Sequence, residues 1–250
     1  MPNPEPRHTT RTGPSAISDA CACVINRLGS PEHAEQEAAR EAAAKAKADA
    51  ARAAAIKDRL TSLWRVRGIR YAQCTLGNFD ATTDAQRAAV ANVRRYVGQL
   101  PAMVAAGTGL VLYGPPGTGK DHLLAAVMRA AIEKGAAVSW HSGPRLYAGL
   151  RDRLDDGSAE GDWIQRLAKP RVLAVSDPVP PVGGLTNYQA GMLYAVIDER
   201  YSACRPTWVT LNASGREDAA TRLTEPILDR LKDQAVVVRC DWASYRRAKQ

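Results

Sequence analysis

Gly114, Pro115, Pro116, Gly117, Thr118, Gly119, Lys120 and Asp121 stand in one unbroken run. Glycines at this spacing let backbone amides turn toward an anion with no Cβ in the way. A lysine closing such a run reaches the β- and γ-phosphates of a nucleoside triphosphate. A helix that starts there adds the partial positive charge of its N-terminus. The chemistry these eight residues suit is therefore phosphate binding. One position departs from the pattern: a Ser or Thr normally follows the lysine and ligates Mg2+, and here the residue is Asp121.

The run has this meaning only between a strand and a helix, and both are legible. Gly109–Tyr113 is a short apolar run of buried-strand type. From His122 to Ile132, apolar residues fall at 123, 124, 127, 128 and 131, the period of a helix. Further strands are expected at Ala136–Trp140, Arg171–Val175, Thr207–Leu211 and Ala235–Arg239. An amphipathic helix is expected over Leu185–Tyr201, through Tyr188, Met192, Leu193, Val196 and Ile197. Strands alternating with helices imply an α/β domain with a mostly parallel sheet over residues 70–250.

Two segments precede it. Residues 1–29 mix Pro, Thr, Ser and Arg without period and read as a disordered tail. Residues 30–68 read as one long helical arm, with Ser30 as N-cap and Pro31 at the first helical position. Between Ala34 and Ala55, 13 of 22 residues are Ala, the best helix former, and Glu41 and Lys45 form an i,i+4 pair. That half carries no large apolar stripe and is expected to be solvated. In the second half Ile56, Leu60, Leu63 and Trp64 share a face, which either docks on the body of the chain or is offered to a partner protein.

Hydrophobic residues at 45% and charged residues at 24% exclude a wholly disordered chain. With 34 basic residues against 26 acidic, the net charge is +8, which favours a polyanionic partner such as nucleic acid. Genomic base composition alone would favour arginine over lysine but would not create a net charge. The start of the chain has no apolar h-region, and five cysteines without framework spacing fit a reducing, cytoplasmic setting. Residues 96–119 are uncharged but too rich in Gly and Pro for a membrane span. Cys21 and Cys23, with His8 or His33, are a weak start to a zinc site, which wants four ligands at C-x2-4-C spacing.

The form Gly-Pro-Pro-Gly-Thr-Gly-Lys resembles that of AAA+ ATPases, which implies ATP with Mg2+ and a P-loop fold: a five-stranded parallel sheet between helices. From Tyr71 to Tyr245, about 70% of the chain, the sequence resembles helicase loaders of the DnaC type and the related IstB-type transposition ATPases. The carrying features are Leu76-Gly-Asn-Phe79, Gly117-Thr-Gly-Lys-Asp-His122-Leu, Leu185-Thr-Asn-Tyr-Gln189 and Ile197-Asp-Glu-Arg-Tyr201. They continue through Arg205-Pro206-Thr, Leu211-Asn212, Ile227-Leu-Asp-Arg-Leu231 and Asp241-Trp-Ala-Ser-Tyr245-Arg-Arg.

The resemblance implies a replication accessory protein that assembles on DNA, single-stranded ahead of double-stranded, with a replicative helicase. The IstB-type alternative has a transposase as partner. A third reading is a nucleotide-sensing module that hydrolyses almost nothing. The resemblance also makes Asn212 a sensor of the γ-phosphate or attacking water. It makes Arg230 the arginine that a subunit offers to its neighbour's triphosphate during self-assembly.

The third strand should end in two acids, one for Mg2+ and one to polarise water, but it ends in Ser176 and Asp177. Asp177 keeps the water role, or it is the metal acid and no base remains. A further expectation is that the metal carboxylate has moved to Asp121, leaving Asp121 and Asp177 as the candidate metal ligands. Arg145, Arg151 and Arg153 are either a solvated face or a DNA contact. Arg246 and Arg247, after Trp242 and Tyr245, suit single-strand stacking, a sensor arginine or a docking tail. His141 reads as structural.

Overall fold

A computed structural model describes residues 31–155 and 160–246. His8, Cys21, Cys23, the Ser30 cap, Arg247 and the side chains of Arg151 and Arg153 lie outside the described residues. The described residues divide into two units between Ala55 and Ile56. The first contributes the start of helix α1 (Pro31–Arg67), whose side chains there are exposed apart from a half-buried His33 beside Glu37.

The second unit holds the end of α1, a 3-10 turn (Ile69–Gln73) and the α/β body. The body runs α2 (Asp84–Gly98), α3 (Leu100–Ala105), β1 (Gly109–Tyr113), α4 (Lys120–Glu133), β2 (Val138–Ser142), α5 (Gly143–Asp155) and α6 (Glu160–Ala168). It continues through β3 (Val172–Ser176), α7 (Asn187–Ser202), β4 (Thr207–Leu211), α8 (Arg216–Leu223), α9 (Glu225–Lys232) and β5 (Ala235–Arg239). All five strands are parallel, in the order β2-β3-β4-β1-β5.

Alternation along β1 divides the core between the two faces of the sheet. Leu110 and Leu112 pack with Leu123, Met128, Val93 and Trp208 on one side. Val111 packs with Val175, Val209, Ile197 and Leu223 on the other. A central parallel strand buried on both faces needs an unbroken apolar run, which Gly109–Tyr113 supplies. Trp208 Nε1 donates to the Tyr96 hydroxyl at 2.7 Å, which donates to the Thr108 carbonyl, so the buried polar edge is satisfied.

The apolar face of α1 belongs to this core: Leu63 and Trp64 are buried, and Ile56 and Leu60 pack against them. Of the two readings of that face, docking on the chain's own body is the one observed.

Several element bounds differ from the sequence reading by one or two residues. β2 starts at Val138 rather than Ala136, because α4 is closed by Gly135 (φ 90°) and by Ala136 N–H on the Ala131 carbonyl, 2.9 Å. β3 runs one residue further, to Ser176. α7 begins at Asn187, where Thr186 and Gln189 form a reciprocal capping box, and Tyr188 is exposed instead of facing the core. Among the described residues no helix is long and apolar enough to cross a membrane.

Candidate functional site

The sheet sets the site. β1, β3 and β4 are neighbours, and their C-terminal ends deliver the glycine-rich loop, Asp177 and Asn212 to one edge. The loop needs its glycines for space as well as conformation. Gly114 has φ 148°, and a Cβ there would lie 2.1 Å from the Cys240 carbonyl oxygen. Gly119 is left-handed (φ 85°) at the start of α4, and its Cβ would strike the Phe79 ring at 2.7 Å.

Lys120 is buried, and its Nζ donates to the Gly114 and Pro115 carbonyls at 2.8 and 2.7 Å. Burial lowers its pKa, an effect opposed by the charges of Asp177, Cys240 and Asp121. A cavity of about 330 Å3 opens over the loop, and Lys120, Asp121, Asp177 and Asn212 line it together. The structure thus brings together the P-loop, Asp177 and Asn212, as their place on the strands requires.

Asp177 has a left-handed backbone (φ 47°), and its amide donates to the Thr210 carbonyl at 3.1 Å. Its side chain meets that of Asn212, while Oδ1 is buried with no hydrogen-bond partner. Burial, then the charge of Asp121, pushes the carboxyl up to about 6 against the opposing charge of Lys120.

Asp121 is held by a residue the sequence reading did not select. Arg67, the last residue of α1, donates from Nη2 to Asp121 Oδ1 and to the Asp121 carbonyl, each at 3.0 Å. Its Nη1 donates to Ser176 Oγ at 2.9 Å, and Ser176 Oγ donates to the same Oδ1 at 2.8 Å. The guanidinium lies over the rings of Tyr71 (4.2 Å) and Trp140 (4.7 Å).

Aromatic residues wall the other side of the loop. Phe79 meets His122, Tyr245 and Trp242 edge to face, at 5.3, 5.8 and 6.4 Å between ring centres. Trp242 Nε1 donates to the Thr118 carbonyl at 3.0 Å, and the Tyr245 amide donates to the Gly117 carbonyl at 3.1 Å. These contacts seat Trp242 and Tyr245 on the chain's own P-loop. Arg70 and Arg246 line the cavity as well, so it holds three cations with Lys120.

Arg230 stands elsewhere. On α9 it pairs with Asp198 at 2.7 Å, lies over the Tyr194 ring, and lines a second cavity with Arg216 and Glu225. The structure does not bring it to its own P-loop. Arg145 is exposed and donates to the Val66 carbonyl at 2.7 Å. His141 is structural in its contacts: it bonds Ser139, meets Trp163 edge to face, and has its pKa lowered first by burial, then by Arg145.

Residues 49–250 match the family model described as IstB-like ATP binding protein. The replicative helicase loader DnaC of Escherichia coli strain K12 is 26% identical over 185 residues, 72% of this chain and 72% of that protein. An insertion-sequence protein of Mycobacterium tuberculosis, named for ATP binding, is 29% identical over 152 residues, 58% of each chain. The crystal structure of the DnaC helicase loader superposes with a TM-score of 0.60 at 23% identity, over 68% of this chain and 98% of that one. The replication initiator DnaA, bound to AMPPCP and single-stranded DNA, gives 0.57 at 16% identity, over 68% and 50%. At these identities the structural likeness carries the fold, an AAA+ P-loop sheet between helices.

Proposed function

The chain belongs to the family of IstB-like ATP-binding proteins, and from that premise we propose that it is an ATP-binding accessory protein of DNA replication, a helicase loader of the DnaC type. One observation carries the reading: three neighbouring strand ends converge Lys120, Asp177 and Asn212 on one cavity above an intact glycine-rich loop. In this reading ATP displaces the two carbonyls now held by Lys120, and the ammonium turns to the β- and γ-phosphates. Asn212 senses the γ-phosphate. Asp177 positions water, with a carboxylate one methylene shorter than Glu, so turnover is slow. Arg230 leaves Asp198 and meets the triphosphate of the next subunit, where an arginine stabilises charge in the transition state.

Mg2+ was expected at Asp121 and Asp177, and the donor set at Asp121 does not suit it. Asp121 Oδ1 is occupied by Arg67, Ser176 and Thr210, the last at 3.4 Å, and a neutral hydroxyl stands at the end of β3. Among the described residues no group of three or more His, Cys, Asp or Glu could hold a metal ion. No step is assigned to a metal here.

The test is ATP-dependent transfer of the replicative helicase of the same organism onto single-stranded DNA. Transfer that requires ATP, and that fails with Lys120→Ala, supports the loader. Equal transfer without this protein overturns it. A second reading, an IstB-type transposition helper, is favoured by the insertion-sequence relative. It expects ATP-dependent association with a transposase on double-stranded DNA and no effect on helicase transfer. A third, a nucleotide-sensing module with negligible turnover, is favoured by Ser176 and by the pairing of Asp121 with Arg67. It expects ATP binding with no measurable hydrolysis.

A further inference from the structure

A charged group sits where the P-loop meets the end of β3, and it comes from outside the motifs. Arg67 reaches it from the C-terminus of α1, 54 residues before Asp121 and 109 before Ser176. Its side chain is 0% exposed, so the charge lies wholly out of water. Five groups fix it: the Asp121 carboxylate, the Asp121 carbonyl, the Ser176 hydroxyl and the aromatic faces of Tyr71 and Trp140. Trp140 Nε1 also donates to Ser176 Oγ at 2.9 Å, which holds the hydroxyl in the network. Arg67 Nε has no hydrogen-bond partner although it is buried. A buried cation with one unpaired donor is costly unless its charge serves a neighbour.

The neighbour is the nucleotide cavity. Tyr71, Asp121, Asp177 and Asn212 wall both that cavity and the one Arg67 faces. Asp121 stands at the first turn of α4, directly after Lys120. An unpaired carboxylate there would repel a triphosphate. Paired with Arg67 its charge is offset, and Lys120, Arg70 and Arg246 remain to balance the phosphates and Asp177.

Resting on the ATP-binding reading above, we propose that Arg67 is the resident cation of this nucleotide site. It takes the electrostatic place of a divalent metal beside the P-loop, and the chain binds ATP without one. Arg67 is a positioning residue: it acts through Asp121 and Ser176 and does not touch the phosphates. A guanidinium suits the place because its planar fork bonds Asp121 and Ser176 at once while its faces lie on two rings, which a lysine could not reproduce.

The experiment is calorimetric titration of the full chain with ATP, in excess EDTA and in excess Mg2+, for the parent and for Arg67→Gln. The parent is expected to bind with affinities that agree within about threefold in the two buffers. Arg67→Gln leaves Asp121 uncompensated. In EDTA its ATP affinity should fall tenfold or more, and Mg2+ should recover most of that loss. This crossed dependence is what a purely structural Arg67 would not produce, because a packing defect weakens ATP equally in both buffers. Parent binding that is tightened tenfold or more by Mg2+ overturns the proposal and leaves the ATP-binding reading standing. A variant weakened equally in both buffers also overturns it. Absence of binding in both buffers overturns the ATP-binding reading, and the proposal with it. Should Arg67→Gln not fold, Arg67→Lys keeps the charge and loses the fork. The parent comparison of EDTA with Mg2+ then decides the matter alone.

Discussion

Replacing Asp177 by Asn should make the nucleotide-free protein more stable. The carboxyl is buried, its Oδ1 has no hydrogen-bond partner, and the Asp121 charge stands nearby. Together these push its pKa from 3.8 up to about 6. An acid whose folded-state pKa is raised costs stability wherever it must ionise in the fold. The cost is full above the folded value near 6 and vanishes as pH falls toward the unfolded value near 4. About two units at ~1.4 kcal/mol each give a cost of ~3 kcal/mol at neutral pH. The amide is isosteric, keeps the contact to Asn212 and carries no charge to desolvate, so Asp177→Asn should recover ~1–3 kcal/mol. That corresponds to a rise of roughly 4–8 °C in Tm for a gain near 2 kcal/mol in a domain of this size.

Chemical denaturation at pH 7.5 and at pH 5, without nucleotide, is the assay. The variant should exceed the parent at pH 7.5 and lose about half of its advantage at pH 5, where the folded carboxyl is mostly protonated and the unfolded one is still mostly ionised. His141, whose lowered pKa costs stability below about 6.5, acts equally in both proteins and cancels in the difference. Equal stability at pH 7.5, or an advantage that persists unchanged at pH 5, refutes the argument that Asp177 is a desolvated carboxylate.

Lys120→Ala should weaken ATP by at least about tenfold in a calorimetric titration, since a charge-assisted contact is worth ~1.5–3 kcal/mol. Arg200→Met should cost ~3 kcal/mol or more in urea unfolding, because the buried guanidinium serves the Leu167, Ala168, Pro170 and Pro206 carbonyls at once, and Arg205 also reaches only that of Ala168 with its side chain. Affinity for single-stranded DNA should fall steeply between about 50 and 200 mM salt, each neutralised phosphate contributing a slope near −0.7; a flat response assigns the +8 charge to solubility. Arg230→Ala should leave ATP affinity unchanged and abolish the rise of turnover per subunit with protein concentration, because Arg230 lines a cavity apart from its own P-loop.

Sequence patterning reached the sheet and the loop because both rest on local rules. Gly109–Tyr113, Thr207–Leu211 and Ala235–Arg239 are short apolar runs, and the observed strands coincide with them. The helices α2, α3, α8 and α9 escaped selection for different reasons. α2 carries a full capping box at Thr83 and Gln86, a signal that sequence reading could have used. α3, α8 and α9 span only 6, 8 and 8 residues, too short to establish a period. The aromatic wall was visible as residue types, in Phe79, His122, Trp242 and Tyr245, but not as a contact. Its members come from three stretches of chain that only the fold unites.

The site's charge balance shows the same limit more sharply. Ser176 and Asp121 are legible as two departures from a motif, and read together they suggest a carboxylate moved from a strand end to the P-loop. What that carboxylate does is decided by a third residue. Arg67 lies in a helix whose pattern predicts nothing about chemistry, since Arg65, Arg67 and Arg70 are equally basic in sequence. Geometry separates them: Arg67 is buried against Tyr71 and Trp140, while Arg65 and Arg70 are exposed. A lone carboxylate beside a triphosphate calls for a cation, and a buried guanidinium calls for an anion. Each would be unfavourable alone. Their occurrence as a pair, with a hydroxyl at Ser176 small enough to admit the fork, makes the three positions one electrostatic solution and ties the end of α1 to the nucleotide site.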